Sequence, residues 1–146
     1  MSYANPWLFD GKPFTDDDIG EFYGFVYLIY NTVSGKKYIG RKYFYSKRKL
    51  KKNDKRRTTS FSDWKEYYGS SKELQKELEL YGPDVFERYI LSLHITKGDV
   101  NISEVKEQFR RNVLEDDTYI NANINGKWHR PPQRIIDGRR YTKEIL

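Results

Sequence analysis

The sequence has no cysteine, and it contains one methionine and two histidines among its 146 residues. Without cysteine, a disulfide framework and any zinc site with thiolate ligands are excluded. Apolar runs are short, and polar residues follow Met1 where a signal peptide would carry a basic patch and an apolar core. We therefore expect a soluble, intracellular protein with no membrane partner.

The remaining composition is 37% hydrophobic and 16% aromatic, which at this length suffices for one modest core. We predict one folded domain over residues 23–125, with a basic insertion at 41–60. An N-terminal packing extension with a short helix occupies residues 1–22, and a basic C-terminal tail occupies residues 126–146.

Two tyrosines, Tyr27 and Tyr38, lie on either side of an apolar segment that is interrupted by residue types favouring tight turns, Asn31 and Ser34-Gly35. This pattern predicts a β-hairpin with strands at about 24–30 and 37–40. Alternation along the first strand places Tyr27 on one face with Phe25 and Ile29. A tyrosine from each strand could therefore reach a common site.

The net charge of +6 and the sequence pI near 9.3 favour a polyanionic partner. Ten of the seventeen residues from 41 to 57 are Lys or Arg, and Asp54 is the one acid among them. A solvated surface run is one account of this composition, and contacts with the phosphate groups of a polyanionic partner are the other. The candidate DNA-binding residues are Lys42, Lys47, Lys49, Lys51, Lys52, Arg56 and Arg57.

Three further elements follow the basic segment. The spacing of Leu74, Leu78 and Tyr81 predicts a helix that ends at Gly82-Pro83, and residues 85–93 are typical of a third strand. A last helix should start near residues 101–103, with Ile102, Val105, Phe109 and Val113 on its buried face. The predicted fold is therefore α+β, with a small three-stranded antiparallel sheet flanked by helices.

The motifs Gly24-Phe25-Val26-Tyr27 and Lys37-Tyr38-Ile39-Gly40 resemble the signature of the GIY-YIG nuclease family. The resemblance extends from about residue 23 to residue 124. The stretch Trp64-Lys65-Glu66-Tyr67-Tyr68-Gly69-Ser70-Ser71 is similar in particular to small free-standing phage members, the Seg-like homing endonucleases. A phage-encoded protein would act in the host cell cytoplasm.

The resemblance implies hydrolysis of a DNA phosphodiester by an activated water, with one divalent ion, Mg²⁺ or Mn²⁺, held by a single glutamate. Tyr38, and with it Tyr27, would lie near the scissile phosphate. Because an ordinary phenol has a pKa near 10, a tyrosine base would need a metal or cations that favour its ionised form. Ordinary strand aromatics are the alternative for both residues.

Glu104 and Glu107 are the candidates for the metal ligand. Glu107 has Arg110 and Arg111 three and four residues later, so a helix-surface ion pair accounts for it. Glu104 has no such cation and matches the family position, although Phe109 lies further on than the aromatic that usually follows the glutamate. The resemblance therefore favours Glu104 and leaves Glu107 as the alternative.

The remaining site residues also rest on the resemblance. The family arginine corresponds to Arg48. If the family's arginine-bearing helix is instead the one containing Trp64, the arginine position falls on Asp63 and the role passes to Arg41 or Arg48. That second alignment places Tyr67 where the family has a histidine or tyrosine. Asn121 matches a late asparagine that braces the site, with Asn123 as the competitor.

Three functions follow from these observations. The first is a metal-dependent DNA endonuclease acting as a monomer or homodimer. The second is a catalytically inactive nucleic-acid-binding module of the same fold. The third, a basic structural protein of a virus or ribosome, does not require paired tyrosine motifs.

Overall fold

A computed structural model describes residues 5–49 and 57–144, apart from the side chains of residues 47–49 and 57–59. The strands are β1 (Trp7–Phe9), β2 (Lys12–Pro13), β3 (Gly24–Asn31), β4 (Lys37–Tyr43), β5 (Tyr45–Lys49), β6 (Arg57–Phe61), β7 (Phe86–His94), β8 (Asn123–Ile124) and β9 (Trp128–His129). The helices are α1 (Lys72–Tyr81), α2 (Lys97–Arg110) and α3 (Gln133–Gly138). Short 3-10 turns lie at Asp16–Asp18 and Pro83–Val85. In the described part of the chain, no helix is both long and apolar enough to cross a bilayer.

The main sheet has five strands in the order β2-β1-β7-β3-β4. Its three long strands, β7, β3 and β4, are antiparallel neighbours, as the sequence predicted. The predicted count of three is wrong, because two short strands extend the sheet from the N-terminal segment. Of these, β1 runs parallel to β7 and pairs Trp7 with Arg88. The short helix predicted in this segment is a single 3-10 turn.

Each face of the sheet covers its own apolar core. One core contains Phe25, Tyr27 and Ile29 from β3, packed with Trp7 and Trp64. The other contains Val26 and Leu28 with residues from β4 and from the segment after α2, namely Ile39, Val113, Leu114, Tyr119 and Ile124. The alternation predicted for the first strand is therefore confirmed.

Helix α2 differs from its prediction. It begins earlier, after Thr96, whose side chain accepts a hydrogen bond from the Asp99 backbone. Its buried residues are Val100, Glu104 and Gln108, spaced one turn apart. The predicted face was half wrong: Ile102 and Phe109 are 52% and 49% exposed, whereas Val113 is buried and Val105 packs against the same core. Apolar periodicity misled here because two of the three buried positions are polar.

The described parts of the basic segment are largely strands. Strand β4 continues through Arg41 and Lys42 to Tyr43, so the predicted start of the insertion lies within the main sheet. Strands β5 and β6 then pair as an antiparallel hairpin in which Arg48 lies opposite Thr58. Lys51, Lys52 and Arg56 lie outside the described residues.

Two residues near the start of the tail contact the domain. Trp128 contacts Phe109 on α2, with ring centroids 5.3 Å apart. The Arg130 guanidinium donates hydrogen bonds to the backbone carbonyls of Asn121, Val113, Leu114 and Tyr119. These contacts fix the chain that follows α2, which passes along the edge strand β4.

Candidate active site

A cavity of about 680 Å³ opens beside the edge strand β4. Three cations and one carboxylate line it in the described part of the chain: Arg41, Lys42, Lys97 and Glu104. Its other lining groups are mostly hydroxyl and amide side chains, including Tyr27, Tyr38, Tyr67, Ser70, Gln108 and Asn123. The site therefore combines a positive surface with a single acidic group, an arrangement suited to a phosphodiester.

The two tyrosines lie on the same face of the hairpin. Register pairs Ile29 with Tyr38 and Tyr27 with Gly40, so that Tyr27 and Tyr38 occupy diagonal positions. Their ring centroids are 6.3 Å apart. Tyr27 is 1% exposed and forms part of the core, whereas Tyr38 is partly buried.

Gly40 makes this arrangement possible. A Cβ atom at this position would lie 2.5 Å from Cζ of Tyr27 and 3.0 Å from Cε1 of Tyr38. Carbon atoms in ordinary contact are about 3.5–4.0 Å apart, so no other residue type fits without moving a ring. The glycine of the second motif thus provides the space in which the Tyr27 ring crosses β4.

Both phenols are held neutral in the resting protein. Burial raises the pKa of Tyr38 to about 12, and the negative charge of Glu104 contributes in the same direction. Burial also raises the pKa of Tyr27 well above its ordinary value, with further contributions from Tyr67 and Tyr38. The charge of Arg41 lowers the pKa of Tyr38 but does not overcome these effects, so the Tyr38 hydroxyl is a hydrogen-bond donor at neutral pH.

Glu104 reaches the cavity from α2 and meets Arg41 from β4. Nη1 of Arg41 and Oε1 of Glu104 are 2.6 Å apart, and the two side chains are 40% and 12% exposed. Burial raises the pKa of Glu104, and the charge and hydrogen bond of Arg41 oppose that rise. Burial is also the largest influence on Arg41, whose pKa it lowers, but Glu104 outweighs it and the net shift is upward.

Glu107 has different surroundings. Its carboxylate pairs with Arg110, and Oε2 lies 3.6 Å from Nε of Arg111. Glu107 is absent from the residues that line the cavity. Of the two glutamates considered as metal ligands, the structure therefore brings Glu104 alone to the tyrosines.

Tyr67 closes the floor of the cavity, in a turn and not in a helix. Its ring meets that of Tyr27 edge to face, with centroids 6.0 Å apart, and Nζ of Lys42 lies 4.0 Å from its centroid. The same ammonium group is 2.6 Å from Oδ1 of Asp63. The buried guanidinium of Arg88 donates to the Tyr67 carbonyl at 2.8 Å, which fixes the backbone of this turn.

Asn121 is buried behind the second tyrosine motif. Its Oδ1 accepts from the Ile39 backbone N–H at 3.1 Å, and its Nδ2 donates to the Ile39 carbonyl at 2.8 Å. Arg130 donates in turn to the Asn121 carbonyl at 2.9 Å. Asn121 therefore pairs with the edge of β4 as a strand would, whereas Asn123 is exposed at the cavity.

The two candidate arginines occupy different strands. Arg41 lies in β4 and reaches the cavity, and Arg48 lies in β5, where its side chain is outside the described residues. Among the predicted DNA-binding residues, Lys42 is the one whose side chain the structure describes, and it lines the cavity.

Comparison with protein families matches residues 7–124 to the family model described as "Putative endonuclease segE, GIY-YIG domain". The chain belongs to the GIY-YIG family. Searches of curated proteins and of solved structures returned no significant match. The GIY-YIG match covers β1 through β8 and confirms the resemblance carried by the two tyrosine motifs. The matched model describes an endonuclease domain.

Sequence reasoning missed two residues that line this GIY-YIG cavity and one that supports the chain behind it. Lys97, at the start of α2, lines the cavity with Nζ 5.6 Å from the Tyr43 ring centroid. Gln108 lies one turn beyond Glu104 and also lines the cavity. Arg130 follows the last residue of the family match. Gln108 had a detectable signal in its four-residue spacing from Glu104, but the other two depend on tertiary contacts.

Proposed function

We propose that this protein is a DNA endonuclease that hydrolyses phosphodiester bonds with one divalent ion, Mg²⁺ or Mn²⁺, held by Glu104. The observation that carries the proposal is the meeting of Tyr38, Arg41 and Glu104 at one open cavity. Tyr38 and Arg41 come from β4, and Glu104 comes from α2. A phosphodiester lying along this edge could contact all three at once.

The residues present fit such an ion. Mg²⁺ prefers oxygen ligands and usually keeps several waters, so one or two carboxylates suffice when a substrate phosphate completes the shell. Glu104 supplies the carboxylate, and the cavity provides room for waters and a phosphate. The described residues contain no cluster of three or more acidic, histidine or cysteine ligands, which argues against a site of the zinc type.

The cationic side chains bind and orient the substrate. Arg41, Lys42 and Lys97 place positive charge on the cavity wall, where it offsets the repulsion between phosphate groups. Arg41 is 40% exposed and can exchange its contact with Glu104 for a bidentate contact with phosphate. Such an exchange would release Oε1 of Glu104, whereas Oε2 takes no part in this contact.

The tyrosines orient the attacking water and the phosphate. With a pKa of about 12, the Tyr38 hydroxyl keeps its proton at neutral pH and donates a hydrogen bond to a phosphate oxygen or to the water. Tyr27 is buried, and its ring contacts the rings of Tyr38 and Tyr67 and so helps to fix their positions. A bound divalent ion supplies charge stabilisation and a water of lowered pKa.

Cleavage of supercoiled plasmid tests the proposal. The wild-type protein should nick or linearise plasmid with Mg²⁺ or Mn²⁺ and should leave it intact with a chelator. Glu104→Gln and Tyr38→Phe should each lower the rate by about 10² or more, the scale of a lost charge or proton-transfer contribution. Glu107→Gln is the matched control on the same helix and should cut at the wild-type rate.

The same preparations distinguish the inactive binding module. Such a module would bind DNA with an affinity that falls with salt at a slope of roughly −0.9 per phosphate neutralised, yet leave every plasmid intact. Wild-type protein that binds in this way without cutting, in either metal and across many sequences, would refute the endonuclease.

A further inference from the structure

The Gln108 side chain contains a buried oxygen that has no hydrogen-bond partner. Gln108 is 4% exposed, and its Oε1 is one of two unpartnered buried side-chain atoms among the described residues. The other, Nε of Arg111, lies 3.6 Å from the Glu107 carboxylate and so has a charge partner. A buried acceptor without a partner costs about 1–3 kcal/mol, so Gln108 calls for an explanation.

The orientation of this amide is fixed by its other end. Nε2 of Gln108 donates to the Ile39 carbonyl at 3.1 Å. Turning the amide over would place two oxygens together, so Oε1 must point away from that carbonyl. The Ile39 carbonyl also accepts from Nδ2 of Asn121 at 2.8 Å, so it does not depend on Gln108. A hydrogen bond to the Ile39 carbonyl is therefore not a sufficient reason for a glutamine at position 108.

The position of Gln108 suggests what its oxygen is for. Gln108 and Glu104 lie one turn apart on the buried face of α2, and both line the cavity with Tyr38. An amide oxygen beside a carboxylate is a donor pair that hard divalent cations accept in proteins. The same oxygen atoms can also act as outer ligands, which accept hydrogen bonds from the waters bound to an ion and so orient them.

We propose that Oε1 of Gln108 is a second protein oxygen for the divalent ion at Glu104, bound directly or through one of its waters. This inference rests on the proposed function, since it requires an ion at Glu104. It assigns to α2 a two-residue metal motif, Glu-x-x-x-Gln, in place of a single glutamate. In the protein without an ion, Oε1 of Gln108 has no hydrogen-bond partner, and the ion or one of its waters supplies that partner.

Mn²⁺ binding to the DNA-free protein, followed by calorimetry, tests this proposal without any activity measurement. Gln108→Met keeps the shape of the side chain and removes both polar atoms. We expect it to weaken Mn²⁺ binding about tenfold, as loss of an outer ligand typically does. Its metal-free melting temperature should equal or exceed that of the wild type, because the unpartnered oxygen disappears while Ile39 keeps Asn121.

Gln75→Met is the matched control. Gln75 also donates its amide to a backbone carbonyl, that of Gly69 at 2.8 Å, but it is not among the cavity residues. This variant should leave Mn²⁺ affinity unchanged and lower the melting temperature.

Two results would overturn the proposal and are distinguishable. Wild-type Mn²⁺ affinity in Gln108→Met, together with lost affinity in Glu104→Gln, would remove Gln108 from the site and leave the Glu104 ion in place. Wild-type affinity in both variants would remove the ion site itself, and with it the metal of the proposed function.

Discussion

Replacing Gly40 by alanine should damage the site through one methyl group. The added Cβ would lie 2.5 Å from Cζ of Tyr27, about 1 Å closer than carbon atoms tolerate. The Tyr27 ring has little space into which to retreat, because Trp7, Phe25 and Tyr67 surround it at centroid distances of 5.2, 6.1 and 6.0 Å. Either β4 or the ring must shift.

The size of the effect follows from this enclosure. Adding a methyl group to a packed core costs about 1–3 kcal/mol, which for a chain of this length lowers the melting temperature by about 2–10 °C. The shift is transmitted to Tyr38, whose Cε1 would lie 3.0 Å from the new atom. Because misplacement by about 1 Å can cost about 10² in rate, we expect plasmid cleavage to fall by at least that factor.

Gly98→Ala is the control for this experiment. Gly98 lies in the first turn of α2, where an added Cβ would meet nothing within 4 Å, so the same substitution should stabilise the protein by about 0.5–1 kcal/mol. Thermal unfolding and plasmid cleavage are measured on both variants. A Gly40→Ala protein with wild-type melting temperature and wild-type cleavage would refute the packing argument.

Three other perturbations test the site and its supports. The cleavage rate should fall as the pH drops through the raised pKa of Glu104. Because Arg41 holds that pKa down, Arg41→Gln should move the acidic limb of the pH–rate profile to higher pH. A profile measured in Mn²⁺ whose acidic limb does not move would contradict this. Asn121→Ala should lower stability by about 1–3 kcal/mol, since it leaves the Ile39 N–H unpaired, and denaturant unfolding measures the loss. Arg130→Ala should speed amide hydrogen exchange over residues 119–124 more than within α1, and equal exchange in both segments would show that the tail does not hold this chain.

The hairpin illustrates what local pattern can predict. Turn residues and alternation placed its strands at about 24–30 and 37–40, and the observed strands are Gly24–Asn31 and Lys37–Tyr43. The face shared by the two tyrosines was also predictable, because side-chain alternation along a strand is a local property. The continuation of β4 was missed, since Arg41 and Lys42 were assigned to a basic insertion.

Helix α2 illustrates where local pattern fails. Apolar spacing selected the side with Ile102 and Phe109, whereas the helix buries Glu104 and Gln108 against β4. A polar residue is buried where the surrounding structure supplies a partner, and Arg41 lies 63 residues away in sequence. The two short strands at the N-terminus were missed for a related reason, because their pairing with β7 and with each other is tertiary.

By itself, the sequence determined the hairpin and the family, since each depends on residues adjacent in the chain. Tertiary structure alone decided which glutamate faces the tyrosines, which arginine meets it and how far the phenols are from ionising. Those outcomes depend on burial and on distances between separate elements, and neither quantity is written in the local order of residues.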